Sequence, residues 1–186
     1  MRFERHICIT PQRSEGGFSL IEVLVALVVF SIGLLALSGL QFTALRGNHD
    51  AYVSTIASLQ VMDAADRLRA NPIGVAAGNY DLLDADTTDP GCIISGCSAA
   101  ALAIYDYWVW NTGDSSQPGT GNAAQLPQGE GVICLDSTPD DGTSRADNAC
   151  DGLQIEGERV MAIKVWWDDD GDPATALRRH VLSVFP

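Results

Sequence analysis

Charge is missing from one long stretch of this chain. Between Val23 and Leu45 there is no Asp, Glu, Lys or Arg, a run of 23 residues. Proline is absent from the same run. Basic residues are scarce throughout, with 11 Lys+Arg against 24 Asp+Glu and a net charge of −13. Phosphate contact requires a basic patch, so this balance argues against a nucleic-acid-binding head. No internal repeat is present. No G-x-S-x-G or related context places a serine beside a base, so enzymatic activity is not expected. No C-x₂-C pair with a partner histidine occurs, which argues against zinc. A secretory signal peptide would be cut after its apolar stretch, yet no A-x-A boundary follows this one.

What is there begins with the apolar run itself. At 1.5 Å of rise per residue, 23 helical residues extend roughly 35 Å, enough to cross a bilayer with some tilt. Gly33 and Gly39 lie inside it. They cost about 1 kcal/mol each relative to alanine in water, but small residues allow close helix approach in a membrane. At the mouth of the run stands Glu22, an acid that lipid penalises and that should therefore mark a function. Its more modest reading is a first-turn charge that suits the helix dipole. Ahead of it lie Gly16, Gly17 and Phe18. Residues 1–17 carry Arg2, Arg5 and Arg13 against Glu4 and Glu15. That excess of one positive charge suits a leader held on the cytoplasmic side.

The segment Gly16-Gly17-Phe18-Ser19-Leu20-Ile21-Glu22 resembles the amino terminus of a type IV prepilin. A short basic leader, Gly before Phe, and Glu as the fifth residue after the Gly17–Phe18 bond carry the resemblance together. It implies cleavage between Gly17 and Phe18 by a prepilin peptidase and N-methylation of Phe18. It also implies that the Glu22 carboxylate pairs with a neighbouring subunit's amino terminus during assembly. The segment Ala65-Asp66-Arg67-Leu68-Arg69-Ala70-Asn71-Pro72 resembles the end of the long first helix in PilV-like minor pilins. Major subunits of the family often carry a proline within the anchor, and this chain departs from that. An uncleaved membrane anchor with a chance glycine pair is the alternative.

Beyond the anchor, Tyr52, Ile56, Leu59 and Met62 recur at helical spacing and predict an amphipathic continuation with this stripe inward. Asp63, Asp66, Arg67 and Arg69 supply its wet side. Asn71-Pro72 stops it, since the residue before proline disfavours helical geometry. The expected organisation is a leader over 1–17, a membrane or filament-core helix over 18–45, an amphipathic continuation over 46–71 and a globular head over 72–186. The head opens with a loop through Ala100. A helix capped by Ser98 then runs from Ala99 to about Trp110, with Leu102, Tyr105 and Val109 on its core face and Ala101, Ile104 and Trp108 beside them. Residues 111–121 read as loop. Strands are expected at Gly131–Leu135, Arg159–Trp167 and Arg179–Phe185, with a turn over Asp168–Pro173. In the middle strand Met161, Ile163, Val165 and Trp167 lie opposite Val160, Ala162, Lys164 and Trp166. The fold class is therefore α+β, a long N-terminal helix packed on a small antiparallel sheet, as the resemblance to pilins also implies.

Cys8 belongs to the leader, which leaves Cys92, Cys97, Cys134 and Cys150 in the mature chain. An even number in an exported domain suggests disulfides. Three pairings exist; Cys92–Cys97 and Cys134–Cys150 are favoured because each closes a local loop of turn residues. The second encloses fifteen residues, worth about 3 kcal/mol in the chain-entropy model. Asp136, Asp140, Asp141, Asp147 and Asp151 crowd that loop, and Asp168-Asp169-Asp170-Gly171-Asp172 superficially resembles a calcium loop. Pro173 stands where the EF-hand pattern needs glycine, so both clusters read as solvated turns without metal or cofactor. His49 and the group Arg178, Arg179 and His180 read as surface.

The role implied by the resemblance is a minor pilin that helps build or prime type IV pili. Its expected partners are the prepilin peptidase, other minor pilins, the major pilin and inner-membrane lipid. It would reside in the inner membrane as a single span with a periplasmic head, and in the pilus after assembly. A minor pseudopilin of type II secretion, a tip adhesin and a plain anchored periplasmic domain are the rival readings.

Overall fold

A computed structural model describes residues 16–83, 88–113, 121–154 and 157–185. The leader up to residue 15 and much of the 111–121 loop lie outside the described residues. The chain divides into two compact units, residues 1–46 and 47–186. Helix α1 (Leu20–Ala70, 51 residues) belongs to both. Glu22 in its first turn and Arg67 and Arg69 in its last complement the helix dipole.

Up to Arg46 the helix is exposed on every side, including Leu24, Val28, Phe30, Leu35 and Leu40. It is long and apolar enough there to cross a membrane. Its few hydroxyls bond within the helix. Ser31 Oγ donates to the Leu27 carbonyl at 2.7 Å, Ser38 Oγ to Leu34 at 2.9 Å and Thr43 Oγ1 to Gly39 at 3.1 Å. Each hydroxyl is thereby satisfied without water, as an apolar surrounding demands.

From Gly47 onward α1 is part of the head's core. Val53, Ala57, Val61, Ala64, Ala65 and Leu68 are buried, while Tyr52, Leu59 and Met62 are more than half exposed. The expected inward stripe is thus corrected: only Ile56 of those four packs against the core. The alanine-rich face is the one turned inward, and it joins Tyr107, Trp110, Ile163 and Val165 in one buried cluster. The helix ends at Ala70, and Asn71 caps the short α2 (Pro72–Ala76) by accepting from the Gly74 N–H at 3.1 Å. Pro72 at its start suits a position whose N–H has no helical partner. The expected loop through Ala100 therefore also holds this turn of helix and α3 (Cys92–Ser95).

Helix α4 (Ala99–Thr112) is capped by Ser98, whose hydroxyl accepts from the Ala101 N–H at 3.2 Å. Its buried face is Ala103, Asp106, Tyr107, Trp110 and Asn111, not Leu102, Tyr105 and Val109, which are half exposed. The helix is apolar nearly all round, so periodicity could not select its inner face. Buried polar atoms selected it instead. Trp110 Nε1 donates to the Gln60 carbonyl of α1 at 2.8 Å, and Tyr107 Oη donates to the Gly131 carbonyl at 3.0 Å.

After the one-turn α5 (Asn122–Gln125) comes a three-stranded antiparallel sheet of β1 (Glu130–Leu135), β2 (Met161–Trp167) and β3 (Arg178–Val184), in that order. Ile133 pairs with Ile163, and Ile163 with Leu182. Met161, Ile163, Val165 and Trp167 face the core shared with α1 and α4. The architecture is an α+β, pilin-like arrangement of a long apolar helix packed on a small antiparallel sheet. At Gly131 a Cβ would stand 2.4 Å from Trp110 Cη2, so only glycine lets the indole lie against β1.

Candidate functional site

At the amino-terminal motif, Gly16 to Ser19 precede the helix and are exposed. A Cβ added at Gly16 or Gly17 would meet nothing within 4 Å. The peptide between Gly17 and Phe18 is thus free of secondary structure and sterically open, the condition for backbone entry into a peptidase. Helix α1 is closed at this end by the Ser19 carbonyl, which accepts from the Glu22 N–H at 3.0 Å and the Val23 N–H at 3.3 Å. Glu22 is therefore fixed in the first turn, one turn past the glycine pair and exposed beside Phe18, Val23 and Ala26. Its carboxylate sits where the helix dipole is positive, at the edge of an apolar surface. Such a group can receive a cationic partner without any rearrangement of the helix.

The head carries two disulfides, Cys92–Cys97 and Cys134–Cys150. The first closes a small loop that exposes Ile93 and Ile94. The second ties down a segment lying over the outer face of the sheet, where Ala162, Lys164 and Trp166 are fully buried. Lys164 Nζ is 2.5 Å from Asp136 Oδ2 and 2.7 Å from Asp141 Oδ1. It also donates to the Asn148 carbonyl at 2.8 Å. The acidic loop is therefore organised by an ammonium, and Asp136, read from sequence as part of a solvated turn, is fully buried. That reading is corrected: a buried carboxylate needs a paired cation, and Lys164 is the one within reach. Asp141 is held below the usual carboxylate range, chiefly by its hydrogen bond from Lys164.

The 168–172 segment is likewise internally bonded. Asp168 Oδ1 accepts from the Asp170 and Gly171 N–H groups, and its Oδ2 accepts from Gln128. Asp169 pairs with Arg178 at 2.6 Å. The carboxylates of Asp168, Asp169 and Asp170 come close enough to hold a cation, but each is already an acceptor within the protein. Asp168 is buried, so this turn too is less solvated than its composition implied. Arg178 and Arg179, expected to face solvent beside a strand, are exposed and half-buried respectively, and pair with Asp169 and Asp140.

A second polar network lies at the end of α1. Tyr80 Oη donates to Asp106 Oδ2 at 2.5 Å, and Asn71 Nδ2 donates to Tyr80 Oη at 3.1 Å. Arg67 Nη1 approaches Asp106 Oδ1 at 3.4 Å. Burial pushes the Asp106 carboxyl above its ordinary value, against the pull of Tyr80 and Arg67. Burial and then the Asp106 hydrogen bond raise the Tyr80 hydroxyl as well. Asp106 thereby links α4 to Arg67 of α1 directly and to Asn71 through Tyr80. Nothing in the sequence spacing of Tyr80 and Asp106 announced this contact.

Residues 12–38 match the family model described as the prokaryotic N-terminal methylation motif. No curated protein and no solved structure matches the chain. The motif covers the end of the expected leader, the glycine pair, Phe18, Glu22 and about two thirds of the apolar run. It supports a type IV pilin-like or pseudopilin-like protein, processed by a prepilin peptidase and anchored through its N-terminal apolar helix.

Proposed function

We propose that this chain is a minor pilin of the PilV-like type, acting in type IV pilus assembly or initiation. The observation that carries this is the open Gly17–Phe18 peptide one turn before Glu22 on an exposed apolar helix, within the matched methylation motif. In this reading a prepilin peptidase removes residues 1–17 and Phe18 is methylated. Residues 18–45 hold the protein in the inner membrane and later enter the filament core. Residues 46–71 continue the helix, and the head over 72–186 lies in the periplasm, where its disulfides form. Glu22 pairs with the amino terminus of a neighbouring subunit. Such a pair at low dielectric acts mainly on register, because desolvation offsets much of its attraction. Other minor pilins and the major pilin are the partners.

The test joins chemistry to phenotype. Mass and amino-terminal sequence of the membrane-purified protein should show a chain beginning at methylated Phe18. A Glu22→Ala variant should lower surface piliation. A chain still starting at Met1, with normal pili, would leave only an anchored domain. Normal pili with lost attachment in a deletion strain would identify an adhesin instead, and lost protein secretion a pseudopilin.

A further inference from the structure

β1 and β3 are the two edges of the sheet, and the chain treats them differently. On β1, five outward backbone groups are occupied. The Gly131 N–H donates to Asn111 Oδ1 at 3.0 Å, and its carbonyl accepts from Tyr107. The Ile133 carbonyl accepts from the Leu82 N–H at 2.9 Å. The Leu135 N–H donates to Asp81 Oδ1 at 2.8 Å, and its carbonyl accepts from the Gly152 N–H at 3.1 Å. Bonding in an antiparallel ladder alternates along each strand. With Gly131, Ile133 and Leu135 turned outward, Ala162, Lys164 and Trp166 bond toward β1. Ile163, Val165 and Trp167 then bond toward Leu182, His180 and Arg178 of β3.

This leaves the N–H and C=O groups of Arg179, Val181 and Ser183 on the outer edge of β3. Among the described residues no hydrogen bond reaches any of them. Beside them runs a groove of about 600 Å³, lined by Arg179, Val181 and Ser183 with Trp166, Pro139 and Thr143. Charged side chains commonly shield such an edge. Here Arg178 is drawn onto Asp169 and Arg179 onto Asp140, and Val181 to Val184 carry no charge.

We propose that the β3 edge docks an extended segment of another protein, which adds to the sheet as a fourth strand. Main-chain bonds to Arg179, Val181 and Ser183 hold it, and an apolar side chain fills the groove beside Val181. Charge selects the partner. The chain carries −13, the turn before β3 holds Asp168, Asp169, Asp170 and Asp172, and Asp140, although paired with Arg179, keeps its side chain 92% exposed beside the groove. A second copy pairing through its own β3 would bring two such loops to one seam. A strand with basic ends is complementary instead. This edge lies wholly in the head and is independent of whether the anchor enters a pilus.

The test is amide hydrogen exchange on the full chain in detergent. In the free protein the amides of His180, Leu182 and Val184 should exchange at least 100-fold more slowly than those of Arg179, Val181 and Ser183. A synthetic heptapeptide, Lys-Thr-Val-Thr-Val-Thr-Lys, should slow the latter three at least tenfold at millimolar concentration. Its counterpart with glutamate ends should not. Val181→Pro removes an outward N–H and no ladder bond, so it should abolish the peptide effect while keeping the thermal midpoint. Ser183→Pro serves the same purpose if Val181→Pro folds poorly. Three results would overturn the proposal: equal protection of both amide sets in the free chain, protection that rises with protein concentration alone, or no slowing by the basic-ended peptide.

Discussion

Lys164 Nζ lies 2.5 Å from Asp136 Oδ2, and both side chains are wholly removed from solvent. It is the chain's one lysine, set in a strand buried on both faces. The attraction between two such ions is largely offset by their desolvation, so the pair is weak evidence of net stability. Its consequence is positional: it fixes the acidic loop over Ala162 and Trp166.

Removing one partner should therefore be far worse than removing both. Lys164→Met leaves Asp136 buried and unpaired, and should lower unfolding free energy by about 3–5 kcal/mol. Adding Asp136→Leu should restore most of the loss. Urea unfolding of the two single variants and the double variant measures the coupling; additive losses would contradict it.

The Cys134–Cys150 disulfide holds the same loop covalently. Replacing both cysteines by alanine should cost about 3 kcal/mol, against about 2 kcal/mol for the shorter Cys92–Cys97 loop. Combined with Lys164→Met, loss of Cys134–Cys150 should fall short of additivity, because the loop can be released only once. Loss of Cys92–Cys97 should add independently. Thermal midpoints across the two double-mutant cycles separate these cases.

These contacts also show what the sequence could and could not convey. Glycine pair, phenylalanine and acid are adjacent in the chain, so the amino-terminal motif was legible outright. The three strands were legible because hydrophobic runs of the right length stood between turn residues. The inner faces of α1 and α4 were misjudged for one physical reason. Both helices are apolar on more than one side, and the faces were chosen by alanine packing and by hydrogen bonds from Tyr107 and Trp110, which depend on residues 24 and 50 positions away. Lys164 with Asp136 was hidden in the same way, since aspartates in a turn-rich loop ordinarily face water.

Close packing of Trp110 against β1 should make Gly131 intolerant of substitution. Gly131→Ala places a methyl 2.4 Å from Trp110 Cη2. Overpacking of this kind costs about 1–3 kcal/mol. Gly39→Ala, where nothing lies within 4 Å, should not destabilise the head. Tryptophan fluorescence during unfolding follows both.

Stability should respond to pH through groups of opposite sign. Asp141 and Asp151 are held below the ordinary range, first by Lys164 and by the Ser137 hydroxyl respectively. Their contribution is present above the unfolded value of about 3.9 and is lost as pH falls through their folded values. Asp106 is raised by burial. As pH falls from neutral through its folded value, the native chain takes up this proton before the unfolded chain does, and relative stability increases. The wild type should thus gain on Asp106→Asn between neutral pH and about 4, and lose its advantage over Asp141→Asn below about 4. Denaturant titrations at stepped pH read both differences.

Asn71 joins three elements through one side chain. Its Oδ1 caps α2 by accepting from the Gly74 N–H, and its Nδ2 donates to the Ala99 carbonyl at 2.8 Å and to Tyr80 Oη. Asn71→Ala removes the cap, worth about 1 kcal/mol. It also deprives the Ala99 carbonyl of its Asn71 donor, at a cost of about 1–3 kcal/mol. Asn71→Asp keeps the cap but replaces the donating amide with a second acceptor facing Tyr80 and the Ala99 carbonyl, in a network that already holds Asp106. At neutral pH the aspartate variant should therefore be no more stable than the alanine variant, despite its better capping. On acidification it should recover, because the introduced carboxyl, once protonated, can donate again. Unfolding curves for both variants at pH 7 and pH 4 decide the point, and an aspartate variant that matches wild type at pH 7 would show that capping alone accounts for Asn71.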